Sequence, residues 1–462
     1  MIRNISARNF KAFEGLDVEI RPITLFLGPN NSGKSSTLAL PRLLSQTLHS
    51  YDNSIPLLLN GYMGDFGTFK DIIYGNVIKK EMEISLSATI DQKKISNFKR
   101  YFDLGFSEET IFTLKLKYRY RARLREIVLK NIDVSFDDNH IITINKSVDG
   151  ENYIVTRLNG KAIPNELRSS LSKHLFIYNF LPRNLFLASE INSNSAVANF
   201  ISKETHDLCR CLPMIMDSFH KVLNGLEYLG AMRMPPQRSF LYSGERHSKV
   251  GVSGENAANI LAMDEAIKGK KSKGILSKVS KWLAMAGIAS DLKIIHLSDR
   301  HYEIKIQHPE TKEYENYADV GYGNSQIIPI LTAGYNLNSG QILIIEEPEI
   351  HLHPKAQAEL AEFFIDMYKE EKIILAETHS EHLILRLQQN IALGNINKED
   401  IIFYYSHVED GKKVLKKLTL DDFGVFKDEW PEGFFPQRLE EAKALARARH
   451  NKKNNDDKGI GQ

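Results

Sequence analysis

The sequence predicts an α/β fold in which a parallel-sheet core is assembled from both ends of the chain, with an antiparallel β-subdomain and a helical arm inserted between the two halves. A continuous apolar run, Ile23 to Leu27, leads into Gly28-Pro-Asn-Asn-Ser-Gly-Lys-Ser35 and then into a helical pattern. A second apolar run, starting at Gln341, ends in Glu346 and Glu347, and a third, Lys372 to Ala376, ends in Glu377-Thr-His379-Ser380. Between these blocks strands alternate with polar turns from Glu81 to Asn159, after which the period becomes helical from about Asn165 to Ala289. Apolar strands without alternation need cover on both faces, as parallel sheets provide.

Composition bounds the answer. A chain of 462 residues exceeds the usual single domain and should form two or three lobes with a sizeable core. Charged residues at 26% and hydrophobic ones at 42% fit a globular protein, and no apolar run approaches the roughly eighteen residues of a membrane span. The most apolar stretch, Leu175 to Ile191, is broken by Arg183 and Glu190. The N-terminus lacks the apolar core of a signal peptide. Cys209 and Cys211 are too close for an easy disulfide and have no second ligand pair for zinc, so a reducing cytoplasm is the expected compartment. A net charge of +2 decides nothing about nucleic acid.

The expected divisions are residues 1–75 for the first half of the core, 76–164 for the β-subdomain and 165–290 for the arm. Residues 291–420 form the second half of the core, and 421–462 a small C-terminal segment whose last part, Arg447 to Gln462, should be disordered. In order, strands are expected at Ile2 to Phe10, Leu16 to Ile20 and Ile23 to Leu27, then a helix from Ser36 to about Ser50. A glycine-rich connection, Asn60 to Gly67, leads into Phe69 to Tyr74. Strands follow at Met82 to Ile90, Thr110 to Tyr120, Ile127 to Phe136, Ile141 to Ile144 and Tyr153 to Leu158. On this stretch Lys115, Lys117, Arg119, Arg121, Arg123, Arg125 and Lys130 fall mostly on one strand face, which reads as a solvated surface or, more sharply, as a phosphate-binding stripe. In the arm, Leu208, Leu212, Ile215, Met216, Phe219, Val222 and Leu223 recur at helical spacing. Pro235 and Pro236 break that pattern and hold Arg233 and Arg238 on a loop, for either a phosphate contact or a surface ion pair. Lys268 to Gly274 reads as a solvated basic loop; strand signals return at Asp291 to Gln307, and Ile401 to Tyr405 with Val414 to Leu418 form a hairpin.

The stretch from Gly28 fits G-x-x-x-x-G-K-[ST] in the strand–turn–helix context that a phosphate-binding loop requires. Gly28 and Gly33 permit backbone turns that a Cβ would penalise. Asn30, Asn31, Ser32, Gly33, Lys34, Ser35 and Ser36 then present N–H groups at a helix start; Lys34 reaches the β and γ phosphates, and the Ser35 hydroxyl ligates Mg²⁺. Carboxyl ends of parallel strands collect ligands, so Glu346 and Glu347 should emerge beside the loop, one toward the Mg²⁺ shell and the other toward the attacking water. His379 should reach the same edge, and Asp319 to Gln326 is a second glycine-rich helix entrance.

These blocks together resemble the ABC-type ATPases of the SMC, RecF and overcoming-lysogenization-defect group. The resemblance rests on Gly28 to Ser35, Val320 to Gln326, Ile344 to Pro354 and Glu377 to Ser380. It implies an ABC-type ATPase head that binds ATP with Mg²⁺. Gly28 to Ser36 would be the Walker A loop, with Lys34 catalytic and Ser35 and Glu346 on the metal. Glu347 would be the catalytic base, His379 the switch histidine and Glu349 to His353 the D-loop. Gly321, Gly323, Asn324, Ser325 and Gln326 would be the signature that caps the ATP of a second copy, making a homodimer with assembly beyond the dimer left open. Lys11, after Arg8 and Asn9, would approach the nucleotide. The chain departs from the pattern at Glu346, where an aspartate is usual, and has no glutamine between Asn60 and Phe69 to act as a Q-loop ligand.

The chain is also similar to bacterial AAA-family ATPases with a small C-terminal domain of unknown function, on the segment Phe423 to Phe435, and to the ATPase subunits of the anti-phage systems PARIS and Septu. After His379 there is no Asp-x-Asp of the kind a nuclease of the lysogenization-defect group needs, so the implied partner is a separately encoded nuclease or other effector. A RecF-like repair clamp that binds DNA is the alternative, leaving nucleic acid open as a partner. A membrane transporter ATPase is disfavoured because no coupled membrane segment is present.

Overall fold

The computed structural model describes residues 1–90, 96, 104, 106–107, 109–147, 150, 152–173, 175–184, 195–242, 244–267 and 272–428. The tail 447–462, residues 429–435 of the C-terminal segment, 268–271 of the basic loop and 185–191 of the most apolar stretch lie outside the described residues.

From the N-terminus come β1 (Ile2–Phe10), β2 (Phe13–Glu19), β3 (Ile23–Leu27), helix α1 (Lys34–Leu48), the short ladder of β4 (Asn60–Gly61) with β5 (Gly64–Asp65), and the one-turn helix α2 (Phe69–Ile72). Next are β6 (Met82–Thr89), β7 (Ile111–Arg121), β8 (Glu126–Phe136), β9 (Asn139–Lys146), β10 (Tyr153–Leu158) and β11 (Lys161–Ala162). The middle holds α3 (Asn165–Ser172), the hairpin of β12 (Phe176–Tyr178) and β13 (Leu181–Asn184), α4 (Ser195–Phe200) and α5 (Lys203–Asn224). It continues with β14 (Glu227–Leu229), β15 (Phe240–Leu241), α6 (Ala257–Ala266) and α7 (Ile275–Ala286). Last come β16 (Asp291–His296), β17 (His301–Gln307), β18 (Tyr314–Asn316), α8 (Tyr322–Asn336), β19 (Ile342–Glu346) and α9 (Pro354–Lys369), then β20 (Ile373–Glu377), α10 (Glu381–Ala392), β21 (Ile401–Glu409) and β22 (Lys412–Leu418).

The predicted α/β class holds, with two main sheets. The core sheet runs β14-β19-β20-β3-β21-β22, parallel from β14 to β21, with β22 antiparallel at the edge. Successive residues of its strands feed different cores. Phe26, Ile342, Ile344, Ile373, Leu375, Ile402 and Tyr404 belong to a cluster shared with α1, α5 and the antiparallel sheet. Ile23, Leu25, Leu27, Leu343, Ile345, Ile374, Ala376, Ile401 and Phe403 belong to another, shared with α6 to α10. Apolar residues on both faces are what made these strands read as unbroken hydrophobic runs.

The second sheet is antiparallel, in the order β11-β10-β9-β8-β7-β6-β1-β2. β6 alternates buried and half-buried residues along its length, the period of a strand with one face in the core. β1 and β2 join this sheet: β1 pairs with β6 from Ile2 opposite Ala88 to Arg8 opposite Glu83. The pairing partner of a strand is a long-range choice, which an alternating pattern does not carry. The segment expected as a helical arm also supplies β14, whose Glu227 to Leu229 lie parallel to Leu343 to Ile345 at the edge of the core sheet. Three residues are too few to show a period.

Cys209 and Cys211 are buried free thiols on α5, each pushed up to about 12 by burial. Among the described residues no helix is long and apolar enough to cross a membrane.

Helix packing behind the core sheet is tight at Gly334 of α8, where a Cβ would fall 2.3 Å from the Phe363 ring of α9. Gly334→Ala should gain up to about 1 kcal/mol of helix propensity but lose about 1–3 kcal/mol to overpacking, for a net destabilisation. Thermal denaturation checks this. In a double-mutant cycle, Phe363→Leu should cost less in the Gly334→Ala background than in the wild type.

Candidate nucleotide site

Three strand ends meet at one edge of the core sheet. β3 runs into Gly28, β19 ends on Glu346 and β20 ends on Glu377, with Glu346 in register with Glu377 and Glu377 with Phe26. β20 therefore stands between the strand of paired acids and the strand that feeds the glycine loop.

The loop is shaped by close approach. Gly28 has φ +134° and its Cβ would lie 2.2 Å from the Ser406 carbonyl oxygen; Gly33 has φ +114° and its Cβ would lie 2.8 Å from the Phe13 ring. Side chains are excluded at both positions. Asn30 and Asn31 are exposed, and Asn31 takes a left-handed φ of 63°. The Ser32 hydroxyl is buried with no partner among the described residues. α1 starts at Lys34, and its first turn has no acidic residue to compete for the free N–H groups of Lys34, Ser35 and Ser36.

Lys34 is buried, and its Nζ donates to the carbonyls of Gly28 at 2.9 Å and Pro29 at 3.0 Å. It also lies 3.5 Å from Glu377 Oε1. The Ser35 hydroxyl donates to Glu377 Oε2 at 2.8 Å. Burial outweighs these partners, so the Glu377 carboxyl lies above its ordinary range, with Glu346 adding to the rise.

Glu347 has left the strand with a left-handed φ of 46°, and its N–H donates to the Glu377 carbonyl at 2.8 Å. That turn brings ligand atoms of Glu347, Glu377 and His379 within 4.8 Å of one another. The His379 Nε2 is buried without a partner among the described residues. Burial first, then Lys34, hold the imidazole below its usual pKa, against Glu347, which favours a neutral ring at pH 7. The turn is braced from Glu349, which accepts from the Thr378 hydroxyl at 2.8 Å and from the His379 N–H.

Glu346, the expected metal-side acid, is paired with an arginine. Its carboxylate accepts from Arg42 Nη1 of α1 at 3.0 Å, and Arg42 also donates to the Met63 carbonyl at 2.6 Å. The guanidinium is stacked 3.5 Å from the centre of the Tyr228 ring. The acid beside Ser35 is Glu377, read from the sequence only as part of the histidine block. Arg42 was missed as well, although a lone charge on an otherwise apolar helix face signals a buried partner.

The two arginines left open are now distinct. Arg238 pairs with Asp319 on the surface. Arg233 is only 5% exposed and donates to the Glu346 carbonyl at 2.8 Å, with its Nε and Nη1 unpartnered among the described residues. Burial lowers its pKa to about 10 despite Glu349, Glu347 and Glu346 nearby. Lys11 has its Nζ 5.6 Å from the centre of the Phe66 ring, which Arg42 approaches at 5.4 Å.

The signature residues form a second group at the start of α8. Gly321 is the residue before its first turn, Ser325 and Gln326 are buried, and the Tyr317 hydroxyl donates to the Ser325 carbonyl at 3.0 Å. A Cβ on Gly323 would lie 2.6 Å from the His351 carbonyl oxygen, so this turn rests on the 349–353 segment; Asn324 is on the first turn of α8. On β7 and β8, Lys117 lies 3.4 Å from Glu83 and Arg121 lies 3.8 Å from Glu126, and Lys130 bonds Glu81. The basic stripe is thus partly neutralised.

The residues present fit a nucleotide with Mg²⁺. The glycine loop is a cradle that a Cβ would fill, the Ser32 hydroxyl and His379 Nε2 beside it have no partner among the described residues, and hard carboxylate oxygens stand next to the Ser35 hydroxyl.

Arg42→Ala would leave Glu346 partly buried and unpaired, and should destabilise the protein by about 3–5 kcal/mol in denaturant unfolding. Adding Glu346→Gln should restore part of the loss.

Similarity to solved structures is remote. The SMC head bound to the C-terminal winged-helix domain of ScpA is 12% identical with a TM-score of 0.43, over 91% of this chain and 98% of that one. The SMC head domain from Thermotoga maritima is 9% identical with a TM-score of 0.39, over 91% and 99%. The Smc head with an extended coiled coil bound to the C-terminal domain of ScpA from Pyrococcus furiosus is 12% identical with a TM-score of 0.39, over 97% and 99%. A search of curated proteins finds no match. Residues 23–386 match the family described as "AAA domain, putative AbiEii toxin, Type IV TA system", and with most of its length inside that match the chain belongs to this AAA family.

Proposed function

We propose that the protein is an ATP-binding and hydrolysing switch. Two copies close on ATP through composite sites, and that closure controls a separately encoded effector, a nuclease in the reading we favour, in anti-phage defence within the cytoplasm. The observation that supports it most is the convergence of Lys34, Ser35, Glu347, Glu377 and His379 at one sheet edge.

In this reading the N–H groups of Gly28 to Ser36 hold the phosphates, and Lys34 leaves the Gly28 and Pro29 carbonyls for the β and γ phosphate oxygens. The Ser35 hydroxyl and a carboxylate at the same edge would hold Mg²⁺, which would supply charge neutralisation for the phosphates. Glu347 orients water and accepts its proton, while the neutral His379 ring hydrogen-bonds the γ phosphate. Gly321 to Gln326 of a second copy close the site over the nucleotide. The clamp alternative has less support, because acidic neighbours already occupy Lys117, Arg121 and Lys130.

Lys34→Ala should lower ATP turnover by about 100-fold or more in a phosphate-release assay. Unchanged turnover would sink the catalytic assignment. Glu347→Gln should bind ATP, hydrolyse it slowly and run as a dimer in size exclusion with ATP; a monomer with normal turnover would count against the composite site.

A further inference from the structure

We infer that Glu377 is the carboxylate that shares the Mg²⁺ shell with Ser35, in place of Glu346. The inference rests on the ATP reading above and adds a ligand to it. Strand order puts Glu377 one strand nearer the loop than Glu346, because β20 and not β19 flanks β3. Distance supports the same choice. Ser35 Oγ and Glu377 Oε2 are 2.8 Å apart. Neighbouring ligands at right angles on an octahedral Mg²⁺ with bonds of about 2.0–2.1 Å stand about 2.9 Å apart. One cation can therefore sit between two oxygens that already have the right spacing, with the Ser35 hydroxyl kept intact, its proton turned away and a lone pair offered to the metal.

Glu346 is unsuited to the task in its present place. Its carboxylate is matched by Arg42, whose guanidinium is fixed by the Met63 carbonyl and the Tyr228 ring. Moving Glu346 toward a metal would strand that buried cation, a costly exchange. Glu377 faces the opposite balance once Lys34, now 3.5 Å from it, turns to the phosphates: it is 5% exposed, and a divalent cation would offset the cost of its buried charge. His379 Nε2, which has no partner among the described residues, and the Glu347 carboxylate complete a polar wall around the same space.

The test uses Mn²⁺ as a paramagnetic probe in place of Mg²⁺, with the full-length protein saturated with ADP so that turnover plays no part. Free Mn²⁺ is titrated by electron paramagnetic resonance for the wild type, Glu377→Gln and Glu346→Gln, and ADP affinity is measured separately in EDTA. Glu377→Gln should weaken Mn²⁺ binding at least tenfold without weakening ADP in EDTA, while Glu346→Gln should change Mn²⁺ binding less than twofold. A tenfold loss in Glu346→Gln, or unchanged Mn²⁺ binding in Glu377→Gln, overturns the assignment. Should Glu377→Gln not fold, the Glu346→Gln arm still decides. If the wild type binds no ADP and adds nothing to the affinity of free ADP for Mn²⁺, the ATP reading itself fails; ADP binding with the wrong variant pattern rejects Glu377 alone.

Discussion

Burial of the core sheet on both faces is the constraint on which the rest depends. Side chains of β3, β19, β20 and β21 alternate between two hydrophobic clusters, so these four central strands have almost no place for charge along their length. Charge appears where the strands end. Glu346, Glu347, Glu377 and the Gly28 loop are therefore gathered at one edge by the same packing that hides Ile344, Ala376 and Leu25. The site follows from the sheet, as ligand sites in open α/β folds commonly do.

The charges at that edge are largely buried, and each has an identifiable compensation. Lys34 has two carbonyls and Glu377; Glu346 has Arg42; Glu349 has a hydroxyl and an N–H. Isolated ions at such depth would be very costly, so the region behaves as one interlocked polar network in which altering one member changes the rest. Arg233, with two guanidinium nitrogens unpartnered among the described residues, is the least satisfied member.

How much of this could be read from the sequence depends on whether the cause is local. The glycine loop and its helix are dictated by adjacent residues, and α1 begins within two residues of its expected start, Ser36. The strands β3 and β10 fall on their expected bounds because their patterns are self-contained. What stayed hidden are relations between distant segments: β1 beside β6, β14 beside β19, and β20 between β19 and β3. The last of these matters most, since the place of Glu377 next to Ser35 follows from strand order and the Glu346–Arg42 pair from how α1 packs on the sheet. No motif records either.

The position of β3 also bears on how the chain reaches its native state. Its two neighbours, β20 and β21, both lie in the last quarter of the sequence, whereas β1, β2 and β6 to β11 find all their partners within the first 162 residues. During synthesis the antiparallel sheet can form early, but β3 keeps two open edges until residues beyond 373 have emerged. An apolar strand with unpaired edges invites wrong pairing, so the strand that carries the phosphate loop is the one most in need of protection while the chain is incomplete.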